Sequence, residues 1–364
     1  MHCPEQDDCH PGHLPATQTE NWFDQYSGLC RLGYALPQSV LDVFLLRREP
    51  RVNRYNASDL SRWRSDGAAL MPGFFTKSEI VPVLDDFGIL FSGGQPQPHA
   101  AVENTKGKDV RMPSRVQFEH TRMMPFDCSP ALNLLALHPA LIAFAREALG
   151  TEDVRLYQSI SWAKFTGQAD FDQPFHMDYY NHTLTTIGDD PCQRTVNFSI
   201  YATDVTDEHG SIRYVTRGEG DEICGPMRPG MPDVSQQDAL RRIERSGAGP
   251  SGTVLAYSSD IYHRATNLTA PEGRRYVLFA SYKAAENDAV DFVAWPSSVP
   301  REWSRLYSAD DNPWRHFFEH ASPEQLACLN VPLPGDRFWT EVTLARTQTR
   351  WPRWDATAWR RAIA

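Results

Sequence analysis

Val154-Arg155-Leu156-Tyr157-Gln158-Ser159-Ile160-Ser161-Trp162-Ala163-Lys164-Phe165 shifts the hydrophobic period of the chain from that of a helix to two, and that shift decides the fold. Thr195 to Asp204, Gly252 to Ser258 and Arg274 to Tyr282 repeat the alternation and are rich in Val, Ile, Tyr and Phe, side chains that fit a pleated, half-buried surface. Short strands parted by Gly, Asp and Pro turns predict an antiparallel sandwich or small barrel, not a βαβ sheet. The expectation is a mainly β fold with flanking helices.

Moving outward, helices come first. Thr76-Lys77-Ser78-Glu79 is a capping box, and Ile80, Val83, Leu84, Phe87 and Phe91 follow at helical spacing. A second helix opens at Pro139, runs through Leu141, Phe144, Ala145 and Ala148, and stops at Gly150. Between the later strands, Met227 to Gly252 holds Pro229, Gly230, Pro232 and a polar helical stretch around Ala239 to Arg245, an insertion suited to covering a barrel mouth.

A length of 364 residues, 41% hydrophobic, allows one large core with extensions at both ends. Three segments are expected: an N-terminal extension over 1–60 with a disordered start, a catalytic domain over 61–285, and a C-terminal extension over 286–364 packed on it. The last follows from tryptophan, since seven of the ten lie beyond residue 285. The end of the chain, Arg346 to Ala364, mixes Trp351, Trp354 and Trp359 with Arg350, Arg353, Arg360 and Arg361, which fits aromatic packing over the domain.

A formal net charge of −10 argues against nucleic acid, whose binding requires cations to displace counterions. Seven cysteines without a C-x-x-C pair fit reduced thiols. The start lacks a signal-peptide pattern, and no segment approaches the roughly 20 apolar residues that cross a bilayer, so the expectation is a cytoplasmic protein acting on a small molecule. His2, Cys3, Cys9, His10 and His13 match no closed zinc spacing.

Phe175-His176-Met177-Asp178 carries the chemistry. On a strand, residues two apart share a face, so His176 and Asp178 point together into a barrel. A third ligand, His263, follows the strand Gly252 to Ser258. Two imidazoles and one carboxylate on one octahedral face leave positions open for a bidentate keto acid and O2, the arrangement of Fe(II) oxygenases. Arg274 and Arg275 open the next strand, and one of them, turned inward, would fork onto the distal carboxylate of 2-oxoglutarate. His182, six residues from His176, is about 20 Å away at strand rise and is set aside as a ligand.

Several segments, in order, resemble the phytanoyl-CoA dioxygenase family of Fe(II)/2-oxoglutarate oxygenases, from about residue 60 to 285. Arg64-Ser65-Asp66-Gly67-Ala68-Ala69-Leu70-Met71-Pro72-Gly73-Phe74-Phe75 is similar to its opening strand, and His138-Pro139-Ala140-Leu141 with Ala148-Leu149-Gly150 to the helix before the barrel. Ser161-Trp162-Ala163-Lys164-Phe165 with Phe175-His176-Met177-Asp178 resembles its core motif. Asp204-Val205-Thr206-Asp207-Glu208-His209-Gly210-Ser211-Ile212 resembles its glycine turn, and His263-Arg264-Ala265-Thr266-Asn267 with Arg274-Arg275 its ending.

The resemblance implies a double-stranded β-helix, a cupin-like jelly-roll barrel, with iron at its mouth and 2-oxoglutarate and O2 as co-substrates. Carried over by position, His176, Asp178 and His263 match the metal ligands. Arg274 matches the keto-acid anchor, with Arg275 the alternative because the turn after Asn267 is one residue longer. Lys164, Thr266 and Asn267 are candidate co-substrate contacts; Trp162, Tyr179, Tyr180 and His182 are candidate pocket walls. Hydroxylation is the default outcome, and the Asp178 carboxylate argues against halogenation. Competing readings are a non-catalytic metal-binding barrel serving as sensor or scaffold, and a zinc hydrolase or cupin isomerase that uses no keto acid.

Overall fold

The structure, a computed structural model, describes residues 54–92, 120–166, 172–183, 191–225, 227–290 and 310–363. The His and Cys set near the N-terminus, Trp295 and Trp303 lie outside the described residues.

Helix α1 (Ala57–Asp66) is capped by Asn56 and ends at Gly67, turning directly into β1 (Ala68–Met71). The expected capping box starts α2 (Lys77–Leu90), where Glu79 accepts from the Thr76 N–H at 2.8 Å and takes a two-pronged contact from Arg54. After β2 (Thr121–Met123) come α3 (Pro130–Leu135) and α4 (Pro139–Leu149), the latter stopped by Gly150 in the left-handed region. This pair corrects one expectation, because Pro130–Leu149 has a mean hydropathy of 1.3 over a length able to cross a bilayer. The chain breaks between the two helices, and 72% of the apolar window is buried in the fold. A helix covered on all sides by protein is apolar all round for the same reason as one covered by lipid.

The strands are β3 (Val154–Phe165), β4 (Thr195–Tyr201), β5 (Arg213–Tyr214), β6 (Arg245–Ser246), β7 (Val254–Ser258), β8 (His263–Arg264) and β9 (Arg274–Ala284). Together with β1 and β2 they make nine strands among the described residues: six form an antiparallel sheet in the order β1-β7-β4-β9-β3-β2, and three form a small sheet in the order β6-β5-β8. This is a double-stranded β-helix. Two strands are shorter than expected: β4 stops at Tyr201, and β7 starts at Val254 because Gly252 is spent on a turn. Gly252 has φ 84°, and a Cβ there would lie 2.2 Å from the Phe75 carbonyl oxygen, whose own N–H donates to Gly252. No other residue fits.

The large sheet has two unlike faces. Val196, Phe198, Ile200, Val254, Ala256, Tyr276, Leu278, Ala280 and Tyr282 join the helix residues Phe87, Leu132, Leu141, Phe144 and Ala145 in one apolar core. The alternate positions Thr195, Asn197, Ser199, Tyr257, Arg275, Ser281 and Lys283 are equally buried but polar. They pair across the ladders, Asn197 of β4 with Ser281 of β9 on one side and Tyr257 of β7 on the other. Period two thus separates a packing face from a cavity face.

The C-terminal segment contributes α8 (Arg315–His320), α9 (Pro323–Ala327), α10 (Glu341–Arg350) and α11 (Thr357–Ile363). Trp314, Phe317, Trp339, Trp351, Trp354 and Trp359 belong to the same apolar core as the helix-facing strand residues. Trp339 and Trp359 both donate their indole N–H to the Pro332 carbonyl at 2.9 Å, so the buried rings keep their one polar atom satisfied. Helix α6 (Arg217–Cys224) and helix α7 (Val234–Ile243) lie on the other side, with α7 starting earlier than the sequence pattern implied.

Candidate metal centre

His176 and His263 meet through a single antiparallel bridge in which each backbone N–H donates to the other's carbonyl at 3.0 Å. The chain then leaves the ladder. Asp178 has φ −66° and ψ −23°, helical values, and caps the four-residue helix α5 (Tyr179–His182). The carboxylate therefore reaches the imidazoles by a turn of the backbone, and not by the regular strand alternation expected from the His-x-Asp spacing. Met177 N–H donates to Gly230 and Tyr179 N–H to Ser259, so both neighbouring segments hold the turn in place.

One ligand atom from each of His176, Asp178 and His263 lies within 4.8 Å of the others. His176 Nε2 is 3.6 Å from Asp178 Oδ1, and His263 Nε2 is 3.2 Å from Oδ2. Each ring uses its other nitrogen on the backbone, His176 Nδ1 on the Pro174 carbonyl at 2.9 Å and His263 Nδ1 on the Ile261 carbonyl at 3.3 Å. That assignment of the Nδ1 proton leaves both Nε2 lone pairs facing the carboxylate, the usual outer support of a metal-binding histidine. Burial alone would raise the Asp178 carboxyl, but with no metal bound His263, and the hydrogen bonds that both imidazoles give when Nε2 also carries a proton, outweigh it and hold the carboxyl well below the ordinary carboxylate range. The cluster presents an anion and two neutral-capable nitrogens to one point, a donor set that fits Fe(II) with positions left open.

Tyr257 is a partner that the sequence pattern did not single out. Its hydroxyl donates to Asp178 Oδ2 at 3.3 Å, and its ring lies 4.9 Å from the His263 ring. The only available signal was parity, since Tyr257 faces Asn197 and shares the cavity side of the sheet. His182 also sits nearer than the strand estimate allowed, because α5 coils the chain: its N–H donates to the Asp178 carbonyl, and Nδ1 pairs with Tyr157 Oη at 2.8 Å. The grouping of ligand atoms nonetheless excludes it. Tyr179 is buried, and half-exposed Tyr180 donates to the Arg228 carbonyl at 2.9 Å.

The two arginines part company. Arg274 is exposed with its guanidinium 5.2 Å from the Tyr276 ring, whereas Arg275 is 2% exposed and faces the cavity. Lys164 is directly opposite Arg275 in the β3–β9 ladder, also buried. Trp162 lies under both, 5.1 Å from Lys164 Nζ and 5.4 Å from the Arg275 guanidinium. Lys164 donates to the Thr266 carbonyl at 2.8 Å and Arg275 to the Gly210 carbonyl, while Arg275 Nε has no partner. Among the described residues no carboxylate pairs with Arg275. Burial, and then the facing Arg275, push the Lys164 ammonium well below its usual value; burial pulls Arg275 down to about 10.

Two like charges buried face to face are unfavourable by themselves and mark a place for an anion. Thr266 and Asn267 shape the floor: Thr266 Oγ1 donates to the Ser211 carbonyl, and a Cβ at Gly210 would lie 2.6 and 2.8 Å from their carbonyl oxygens. From His263 to Thr266 is three residues, at most about 11 Å of chain. A short dicarboxylate spans that interval. The segment expected as a lid leans on the metal turn, with Gln237 exchanging hydrogen bonds with the Phe175 backbone and Tyr262 donating to the Pro229 carbonyl.

The family model for phytanoyl-CoA dioxygenase (PhyH) matches residues 63–276. The L-proline trans-4-hydroxylase of Streptomyces griseoviridis is 26% identical over 198 residues, 47% of this chain and 70% of that protein. Among solved structures, EctD from S. alaskensis in its apoform has a TM-score of 0.50 at 20% identity, covering 72% of this chain and 88% of that one. The non-heme alpha ketoglutarate dependent carbocyclase SnoK from nogalamycin biosynthesis has a TM-score of 0.48 at 18% identity, covering 64% and 85%.

Proposed function

We propose that this chain, which belongs to the phytanoyl-CoA dioxygenase family and is an Fe(II)- and 2-oxoglutarate-dependent oxygenase, hydroxylates a small-molecule substrate with His176, Asp178 and His263 as its metal ligands and Arg275 as its keto-acid anchor. The observation that carries the assignment is the buried guanidinium of Arg275, set opposite Lys164 with an unpartnered Nε and, among the described residues, no carboxylate paired with it. A dicarboxylate bound there removes a repulsion as well as forming a charge-assisted fork. Iron held there would supply O2 activation, with O2 as the oxidant: one oxygen atom would go to the substrate and the other to the succinate formed, with CO2, from 2-oxoglutarate.

The protein's own part is positional. Asp178 contributes the negative charge, and Tyr257 holds one of its oxygens so that the other is free for the metal. Pro174 and Ile261 carbonyls fix the imidazole planes. Arg275 orients the co-substrate from the far end, with Lys164 and Trp162 as its wall, so Trp162 belongs to the co-substrate side of the cavity. The Pro229–Gln237 segment excludes water above the metal turn. Tyr180, His182 and Tyr157 are left to meet the substrate. Hydroxylation is favoured by the relative named L-proline trans-4-hydroxylase, whose name gives a small amino acid as its substrate.

The test is anaerobic addition of Fe(II) and then 2-oxoglutarate to the purified apoprotein, following the weak visible charge-transfer band of the chelate. A band in the wild type that is lost in His176→Ala, weakened in Arg275→Leu and kept in Arg274→Leu is the expected result. Absence of a band at saturating ligand would overturn the assignment in favour of a metal-binding barrel without turnover.

A further inference from the structure

A second cluster of metal-ligating side chains lies on the opposite side of the large sheet. His316, Glu319 and His320 project from α8 at spacings of three and four, which puts them on one helix face. One ligand atom from each lies within 4.8 Å of the others. The helix is pinned by Phe317 in the main apolar core and by Phe318, whose ring stacks on Trp351 at 4.7 Å. The three polar side chains therefore have little freedom to separate.

Their own partners are incomplete. His316 is 9% exposed, and its Nδ1 is buried without a hydrogen bond. Glu319 is mostly buried, yet Arg315, Arg353 and His320 all stand off its oxygens at 3.8 Å, beyond hydrogen-bond reach. Glu319 also lines a surface cavity with Asp310, Arg353 and Trp351, which gives a path from solvent.

We infer that His316, Glu319 and His320 form a second divalent-cation site of the zinc class, distinct from the iron centre, that braces the C-terminal segment. Two imidazoles and a carboxylate are a borderline donor set that suits Zn(II) or Co(II), with a fourth position for water. Arg315 and Arg353 oppose a cation; both are on partly exposed, flexible stems, 28% and 60% exposed, and swing outward when it binds. Asp310, already paired with Arg353 at 3.0 Å, receives that charge.

The experiment is a titration of the metal-free full chain with Co(II), read by calorimetry and visible absorption. Wild type should take up a second equivalent with no thiolate charge-transfer band, which separates it from any binding by Cys3 and Cys9. His176→Ala should retain this equivalent. His316→Ala/His320→Ala should lose it and keep the first, and Glu319→Gln should weaken it at least tenfold. Should the double variant fail to fold, His320→Gln alone, at a half-buried position, is expected to weaken the second site by at least tenfold. A single equivalent in the wild type, or a second that survives both His320→Gln and Glu319→Gln, would overturn the inference. Neither outcome touches the iron centre, because its ligands are read separately through His176→Ala.

Discussion

The two faces of the six-stranded sheet are built from the same strands, at alternate residues, and are equally dry. One face, with Phe198, Ile200, Leu278 and Tyr282, packs its apolar side chains against the helices, and Tyr282 donates its hydroxyl to the Ala136 carbonyl at 2.6 Å. The other, with Asn197, Ser199, Arg275 and Ser281, leaves Asn197 Nδ2, Ser199 Oγ and Arg275 Nε buried and without partners. Unsatisfied buried polar groups cost about 1–3 kcal/mol each, so the cavity face gives up stability that the helix face recovers through packing. Substitutions should therefore sort by face: the buried polar positions Asn197, Arg275 and Ser281 alter chemistry, and the buried apolar positions Phe198, Leu278 and Tyr282 alter stability.

The largest effect tests the cavity side. His176→Ala removes one of three ligands and should lower turnover by on the order of a thousandfold or more, about 4 kcal/mol, with the thermal midpoint of the metal-free protein little changed. Loss of activity together with loss of fold would break the contrast between the faces. Next comes the packing side: Phe198→Ala, at a fully buried site in the main core, should cost about 3–5 kcal/mol of stability in urea unfolding. Its Fe(II) affinity should stay near that of the wild type under conditions where it is folded.

Adjacent residues on one strand give a sharper version of the same contrast. Arg275→Leu should raise the 2-oxoglutarate concentration for half-saturation about a hundredfold, matching roughly 2.7 kcal/mol for a lost buried charge pair. Arg274→Leu, on the exposed side, should stay within about twofold. Equal effects from the two would mean that the ladder register at Lys164 and Arg275 does not set the anchor.

Much of this was legible in the amino-acid order, for physical reasons. Period two marks any strand whose faces differ, so β3, β4, β7 and β9 stood out, and the capping box at Thr76 named the start of α2. Strands of two residues, β5, β6 and β8, have no period to read. Residue type and spacing singled out His176, Asp178 and His263, which the fold brings together, but the pattern misjudged the backbone: an isolated bridge at His176 followed by a helical Asp178 looks the same as a strand in composition. The same error put His182 too far away. Which arginine faces inward depends on register with β3, a long-range pairing that no local window contains. Tyr257 was hidden because a tyrosine in Val254-Leu255-Ala256-Tyr257-Ser258 is also an ordinary strand residue.

Tyr257 supplies the smallest and most discriminating effect. Its hydroxyl donates to Asp178 Oδ2, while its ring packs on His263. Tyr257→Phe keeps the ring and deletes the hydrogen bond, so the histidines stay placed and only the carboxylate gains freedom. Outer hydrogen bonds of this kind are worth about tenfold in metal affinity at the lower end of their range, and a tenfold rise in the Fe(II) dissociation constant is the expected result. Burial, and then the facing Asp178, hold the phenol well above its usual value, so it stays a protonated donor. The deficit should accordingly be flat across the neutral pH range. A deficit that changes with pH there would show that the hydroxyl acts by ionising and not by holding Asp178, and an unchanged affinity would place Tyr257 with the packing residues despite its parity.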